Sequence, residues 1–178
     1  MRYCVVDLEC TCWEYNDPEK QSHETIEIGA VLLDGDLNIL KSISIYARPV
    51  EYPQLTSYCT QLTGISQEDV DTAPTFDNAM REFSSWVGDC KDVVLCSWGE
   101  FDKKQLMEEC VKHACAYPFD QCHINIKQEY LRKLNRTKGG LQKACRVCGI
   151  SFEGTPHNGK DDAIMAAKVL KSLSIIKE

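Results

Sequence analysis

Long apolar runs are missing from this chain. No stretch of its 178 residues approaches the roughly 20 apolar positions a membrane span needs. The first residues are strand-like, not a charged start followed by an apolar export core. These absences predict a soluble, cytoplasmic protein without a membrane partner. Positive net charge is also missing. A formal charge of −7 argues against a generic nucleic-acid coat, because sequence-independent phosphate binding is built on net positive surface. A second knuckle-like cysteine pair is absent too. The spacing Cys145-Arg146-Val147-Cys148 is a CxxC, but Cys110, Cys115 and Cys122 supply no CxxC partner, so a zinc site is not expected. The eleven cysteines are an odd number without an export signal and read as reduced thiols, mostly small buried apolar residues.

What is present fits one well-buried domain spanning 1–178, since 43% hydrophobic content over this length is ample for one core and short for two. Strand signals fall at Tyr3–Asp7, Ile26–Leu33, Ser42–Ala47 and Val93–Ser97. The segment Asp34 to Asn38, "DGDLN", joins two of them as a hairpin through an Asp-Gly turn, so part of the sheet is expected to be antiparallel. Helical patterning covers about Thr75–Val87, Lys103–His113, Gln128–Leu134, Leu141–Cys148 and Asp161–Leu173. In the last, Ala163, Ala167 and Leu170 mark the buried face. The expected class is α/β, a mixed β-sheet flanked by helices on both faces.

Within "YCVVDLECTC", Asp7 and Glu9 follow an apolar run. Two positions apart in a strand, they face the same side, and like charges so placed repel unless a cation sits between them. Either they form a solvated strand end or half of a cation site. Asp102 stands near the start of a helix after the strand "VVLCS", and Asp161 and Asp162 open the last helix. An acid at a helix start interacts with the dipole and alone says little. His157 lies in the loop "TPHNGK", five residues before Asp162. From Lys127 to Arg146, seven basic residues face a single acid, Glu129, which reads as either a solvated face or a phosphate track.

Taken together and in order, these residues resemble the DEDDh branch of the 3′–5′ exonuclease superfamily, with its ribonuclease H-like fold, and within it the Eri-like exoribonuclease group. The D-x-E motif matches Asp7 and Glu9, the second motif's aspartate matches Asp102 in "SWGEFD", and H-x4-D matches His157 and Asp162. The segments "TCWE", "QLTGISQEDVDTAPTF" and "HINIKQEY" carry the Eri-like resemblance. The likeness implies two divalent metal ions, Mg²⁺ or Mn²⁺, with Asp7 bridging both, Glu9 and Asp162 on the nucleophile-side ion, and Asp102 completing the other shell. Clustered carboxylates suit such hard cations, and a metal pair stabilises both the attacking and leaving oxygens of a phosphodiester. His157 has the chemistry of a general base, since histidine ordinarily titrates near ~6.5. Pro156 and Gly159 frame a loop able to close over a substrate end.

Substrate contacts are expected at Leu8, at Leu62-Thr63-Gly64-Ile65, where the family packs the terminal nucleotide, and along Arg132, Lys133 and Arg136 on the phosphate backbone. Trp98 and Trp13 are able to stack on bases, although packing is tryptophan's usual role. The implied reaction is hydrolysis from a free 3′ end, releasing 5′-mononucleotides, with RNA favoured by the Eri-like segments. DNA proofreading chemistry is the alternative. A non-catalytic binding module on the same fold is disfavoured, because every catalytic position is filled. Oligomeric state, whether homodimer or hetero-complex, is left open.

Overall fold

The computed structural model describes residues 1–17, 22–120 and 122–175. Five strands form one sheet in the order β3-β2-β1-β4-β5. They are β1 (Arg2–Cys10), β2 (Thr25–Leu33), β3 (Ile39–Tyr46), β4 (Val93–Ser97) and β5 (His123–Asn125). β1 pairs antiparallel with β2 and parallel with β4, β2 pairs antiparallel with β3, and β4 pairs parallel with β5. The expected hairpin joins β2 to β3. The Asp34 carboxylate accepts the backbone N–H groups of Asp36 and Asn38, and the left-handed position falls on Leu37 (φ 59°), not on the glycine.

The seven helices among the described residues are α1 (Ser57–Thr63), α2 (Gln67–Thr72), α3 (Phe76–Val87), α4 (Phe101–Lys112), α5 (Ile126–Lys133), α6 (Leu141–Val147) and α7 (Gly159–Ile175). None is long and apolar enough to cross a membrane. Strand alternation sorts the core into two layers. Cys4, Val6 and Leu8 of β1 and Ile28, Ala30 and Leu32 of β2 pack with α3 and α4 through Phe76, Met80, Phe83 and Leu106. Val5, Val31 and Leu33 face the other way, into α5, α6 and α7, where Ala163, Ala167 and Leu170 are buried as their spacing predicts. Both faces of the sheet are therefore covered by helices, which is why β2 is buried along its whole length.

This alternation decides where the acids go. Asp7 and Glu9 share a face with Val5, and Glu27 and Gly29 share a face with Val31, so all four lie on the α7 side. All eleven cysteines are unpaired, and six of them, including Cys145 of the CxxC, are buried.

Candidate active site

β1 outruns its parallel neighbour. Val6 opposite Ser97 is the last register pair between β1 and β4, so residues 7–10 project past the end of that strand. On the vacated edge, the Leu8 N–H donates to Asp102 Oδ1 at 3.1 Å, which brings the first residues of α4 against the D-x-E segment. The Ser97 hydroxyl, 2.9 Å from His123 Nε2 and 3.0 Å from the Gly99 carbonyl, also reaches the Asp102 carboxyl.

The fourth acid arrives on α7. Asn158 caps this helix, its Oδ1 accepting the Asp161 N–H at 3.1 Å, and Asp162 Oδ2 accepts the His157 N–H at 3.0 Å. His157 holds a left-handed backbone (φ 63°), a sparsely used conformation for a non-glycine residue and one that clusters at functional sites. Donor atoms of Glu9, His157 and Asp162 all lie within 4.8 Å of one another.

Electrostatics tie Asp7 and Asp102 to that group. Burial, then the charges of Asp102, Glu9, Asp162 and Glu27, hold the Asp7 carboxyl well above the usual carboxylate range. Glu9 is pushed up to about 9 by burial and then by Glu27 and Asp162. Asp102 is pushed up to about 6 by burial, against the opposing pull of the Leu8 N–H and Ser97 hydroxyl. Asp162 is raised, chiefly by burial. Mutual repulsion among buried oxygen donors is what a hard divalent cation relieves, so Asp7, Glu9, Asp102 and Asp162 fit such an ion.

An exonuclease family model (RNase_T) matches residues 4–170. The chain belongs to the RNase_T exonuclease family. Within this exonuclease family it falls in the DEDDh, Eri-like branch, and the family depends on divalent metal. Among its relatives are the human protein named 3′-5′ exoribonuclease 1, 33% identical over 176 residues, covering 93% of this chain and 50% of that protein, and the Bacillus subtilis protein named probable 3′-5′ exonuclease KapD, 31% identical, covering 94% of this chain and 82% of that one. The solved nuclease domain of 3′hExo, described as a DEDDh family member bound to rAMP, superposes with a TM-score of 0.87 at 32% identity over 96% of this chain and 90% of that one. The chain spans about half the length of the first curated relatives it matches.

The predicted substrate residues divide. Leu8 is 7% exposed and held by its N–H. α1 packs on the end of β1 through the Cys59 thiol and the Cys10 carbonyl, 3.6 Å apart. At its C-terminus Gly64 takes the left-handed cap position (φ 75°), with Leu62 and Gly64 accessible while Thr63 and Ile65 are buried beneath them. Trp98 is partly buried in the core against Tyr130, ring centroids 5.8 Å apart, the packing role usual for tryptophan.

The basic stretch does not lie along one track. Lys133 Nζ donates to the Leu173 carbonyl, and Arg132 pairs with Glu129. Leu173 is eleven residues from Asp162 on α7, about 16 Å at ~1.5 Å per residue, so Lys133 sits at the far end of that helix. Arg136 lies exposed just beyond α5. Lys143 and Arg146 of α6 instead line a cavity of about 340 Å³ together with His157 and Asp162. Both stand inside the basic run, and only the direction of α6 singles them out. Gly159 is the first residue of α7. It is buried at the start of α7, and a Cβ placed there would meet the Asp7 carbonyl at 2.9 Å. Glu27, fully buried on β2, is a fifth acid at the site. Its sequence signal was an acid inside the otherwise uncharged strand "TIEIGAVLL".

Proposed function

We propose that the chain is a metal-dependent 3′–5′ exonuclease that hydrolyses RNA from a free 3′ end and releases 5′-mononucleotides in the cytoplasm. The observation that carries this reading is the convergence of Asp7, Glu9, Asp102 and Asp162, with His157 against the Glu9–Asp162 side. Asp7, Glu9, Asp102 and Asp162 would hold two Mg²⁺ or Mn²⁺ ions. When bound, such ions polarise the phosphodiester and stabilise charge on the attacking and leaving oxygens.

The chain's own residues then have distinct tasks. His157 takes the proton of the attacking water at its imidazole, as its place against Glu9 and Asp162 allows. The water oxygen forms the new bond to phosphorus, the bond to the 3′ oxygen of the preceding nucleotide breaks, and that oxygen leaves with a proton from solvent, to which His157 returns the one it took. Leu8, Leu62 and Gly64 pack the terminal nucleotide, with Thr63 and Ile65 supporting them from beneath. Lys143 and Arg146 steady the phosphate beside His157. Arg132, Lys133 and Arg136 act further out, if the strand extends that far. The relatives named as exoribonucleases and the rAMP-bound domain support RNA as substrate.

The test is a product time course on 5′-labelled RNA and DNA of one sequence, single-stranded and duplex, with free or blocked 3′ ends. A ladder shortening from the 3′ side on RNA, abolished by the block, is expected. Equal rates on DNA would remove the RNA assignment, and internal cuts would remove the exonuclease one.

A further inference from the structure

Glu27 has no exposed surface, yet it stands across the β1–β2 register from Glu9 and adds its charge to the repulsion on Asp7, Glu9 and Asp162. A buried charge beside other acids is costly, so its presence calls for a compensating task. It is absent from the donor group of Glu9, His157 and Asp162. Both its oxygens are engaged elsewhere. Oε2 accepts the Gly159 N–H at 3.0 Å, and Oε1 accepts the Ser44 hydroxyl at 2.7 Å.

The Gly159 N–H belongs to the first turn of α7, where backbone donors have no partner within the helix. Two residues along the same face of β2, Gly29 leaves room for that turn: a Cβ there would lie 1.9 Å from the Gly159 carbonyl carbon. Glu27 and Gly29 thus form a seat, one by hydrogen bond and the other by lack of a side chain. What rests on it is the helix start that carries Asp162, which in turn holds the His157 N–H.

We propose that Glu27 is a positioning residue, which by gripping the Gly159 N–H while braced by Ser44 sets where Asp162 and His157 stand relative to Asp7 and Glu9. The task depends on the reach of the side chain and not on its charge. Glutamine has the same length, and its carbonyl accepts from Gly159 while its amide donates to the Ser44 oxygen. Aspartate keeps the charge but is one methylene too short to meet both partners.

The proposal rests on the exonuclease reading for its activity arm, so the experiment pairs turnover with a readout independent of RNA. Glu27→Gln and Glu27→Asp are compared with wild type in kcat and KM on single-stranded RNA, in Mn²⁺ affinity by calorimetry, and in hydrogen exchange of the 157–162 segment. Glu27→Asp is expected to lose about 10²-fold in kcat, the cost of a misplacement near 1 Å, with KM little changed. It should also bind Mn²⁺ more weakly and exchange faster at 157–162. Glu27→Gln is expected to stay within about fivefold of wild type in kcat and to match its exchange. The reverse order, with the aspartate active and the glutamine dead, would overturn positioning in favour of charge. Equal behaviour of the two variants, whether both active or both dead, would overturn it as well. Should wild type degrade no RNA, the exonuclease reading fails, while Mn²⁺ affinity and exchange still decide the role of Glu27.

Discussion

Removing metal should make this protein's stability fall as pH rises from 5 to 8, the reverse of ordinary acid denaturation. Glu9 titrates at about 9 in the folded chain, raised from 4.5, and only 8% of the residue is exposed. Between those two values the folded state binds a proton that the unfolded state has released. The unfolded state therefore binds fewer protons, and the stability of the fold drops by ~1.36 kcal/mol for each pH unit. Over three units Glu9 alone accounts for about 4 kcal/mol, and Asp102, raised to about 6, adds to the loss mainly below that pH. At roughly 2–4 °C per kcal/mol for a chain of this size, the melting temperature in EDTA should be about 8–16 °C lower at pH 8 than at pH 5. Saturating Mn²⁺ replaces the proton as the counter-charge and should flatten that slope. In Asp7→Asn one repelling acid is gone, so the metal-free variant should melt at or above wild type at pH 8, with most of the Mn²⁺ shift lost. Thermal melts across pH with EDTA or Mn²⁺ measure all of this. A metal-free melting temperature that is level or rising between pH 5 and 8, or an Asp7→Asn protein with the full Mn²⁺ shift, would refute the reasoning.

Other expectations follow from the same geometry. His157→Ala should retain metal and RNA binding while losing about 10²–10⁴-fold in kcat, checked by single-turnover kinetics beside a binding assay with Ca²⁺. Lys143→Ala with Arg146→Ala should weaken RNA binding and lower the slope of log affinity against log salt. Arg132→Ala, Lys133→Ala and Arg136→Ala together should change that slope less, because they start about a helix length from His157; salt titrations of the two sets decide it. Gly29→Ala places a methyl inside the Gly159 backbone and should cost more than the ~1–3 kcal/mol typical of overpacking, read as a lowered urea midpoint.

The candidate catalytic set was legible because its residues fall on strong local signals. Asp7 and Glu9 end an apolar strand, Asp102 follows another, and Asp162 opens a long amphipathic helix. Three elements were not legible. β5 has three residues, too few to show a period, and α1 and α2 have seven and six, held by the Thr56 cap and the Ser66–Asp69 capping box on either side of Gly64 more than by any apolar stripe. Gly159 looked like loop punctuation because "HNGK" has turn composition; its partner in the close approach, Gly29, lies 130 residues away, and no local pattern links them. The basic run from Lys127 to Arg146 was visible as composition, but it divides between α5 and α6, which point its charges to opposite ends of α7.

The left-handed backbone at His157 limits what evolution or an engineer can place there. Asparagine, aspartate and histidine occupy that region several times more readily than other residues, whereas bulky or β-branched side chains are strained in it. A tyrosine, another side chain able to manage a proton, would meet this conformational barrier before its chemistry could matter. The residue proposed as proton acceptor is thus selected twice, by acidity and by a backbone angle. Asparagine at 157, which tolerates the angle but cannot take the proton, is for that reason a cleaner probe of the base than alanine, because it leaves the loop's conformational preference nearly intact.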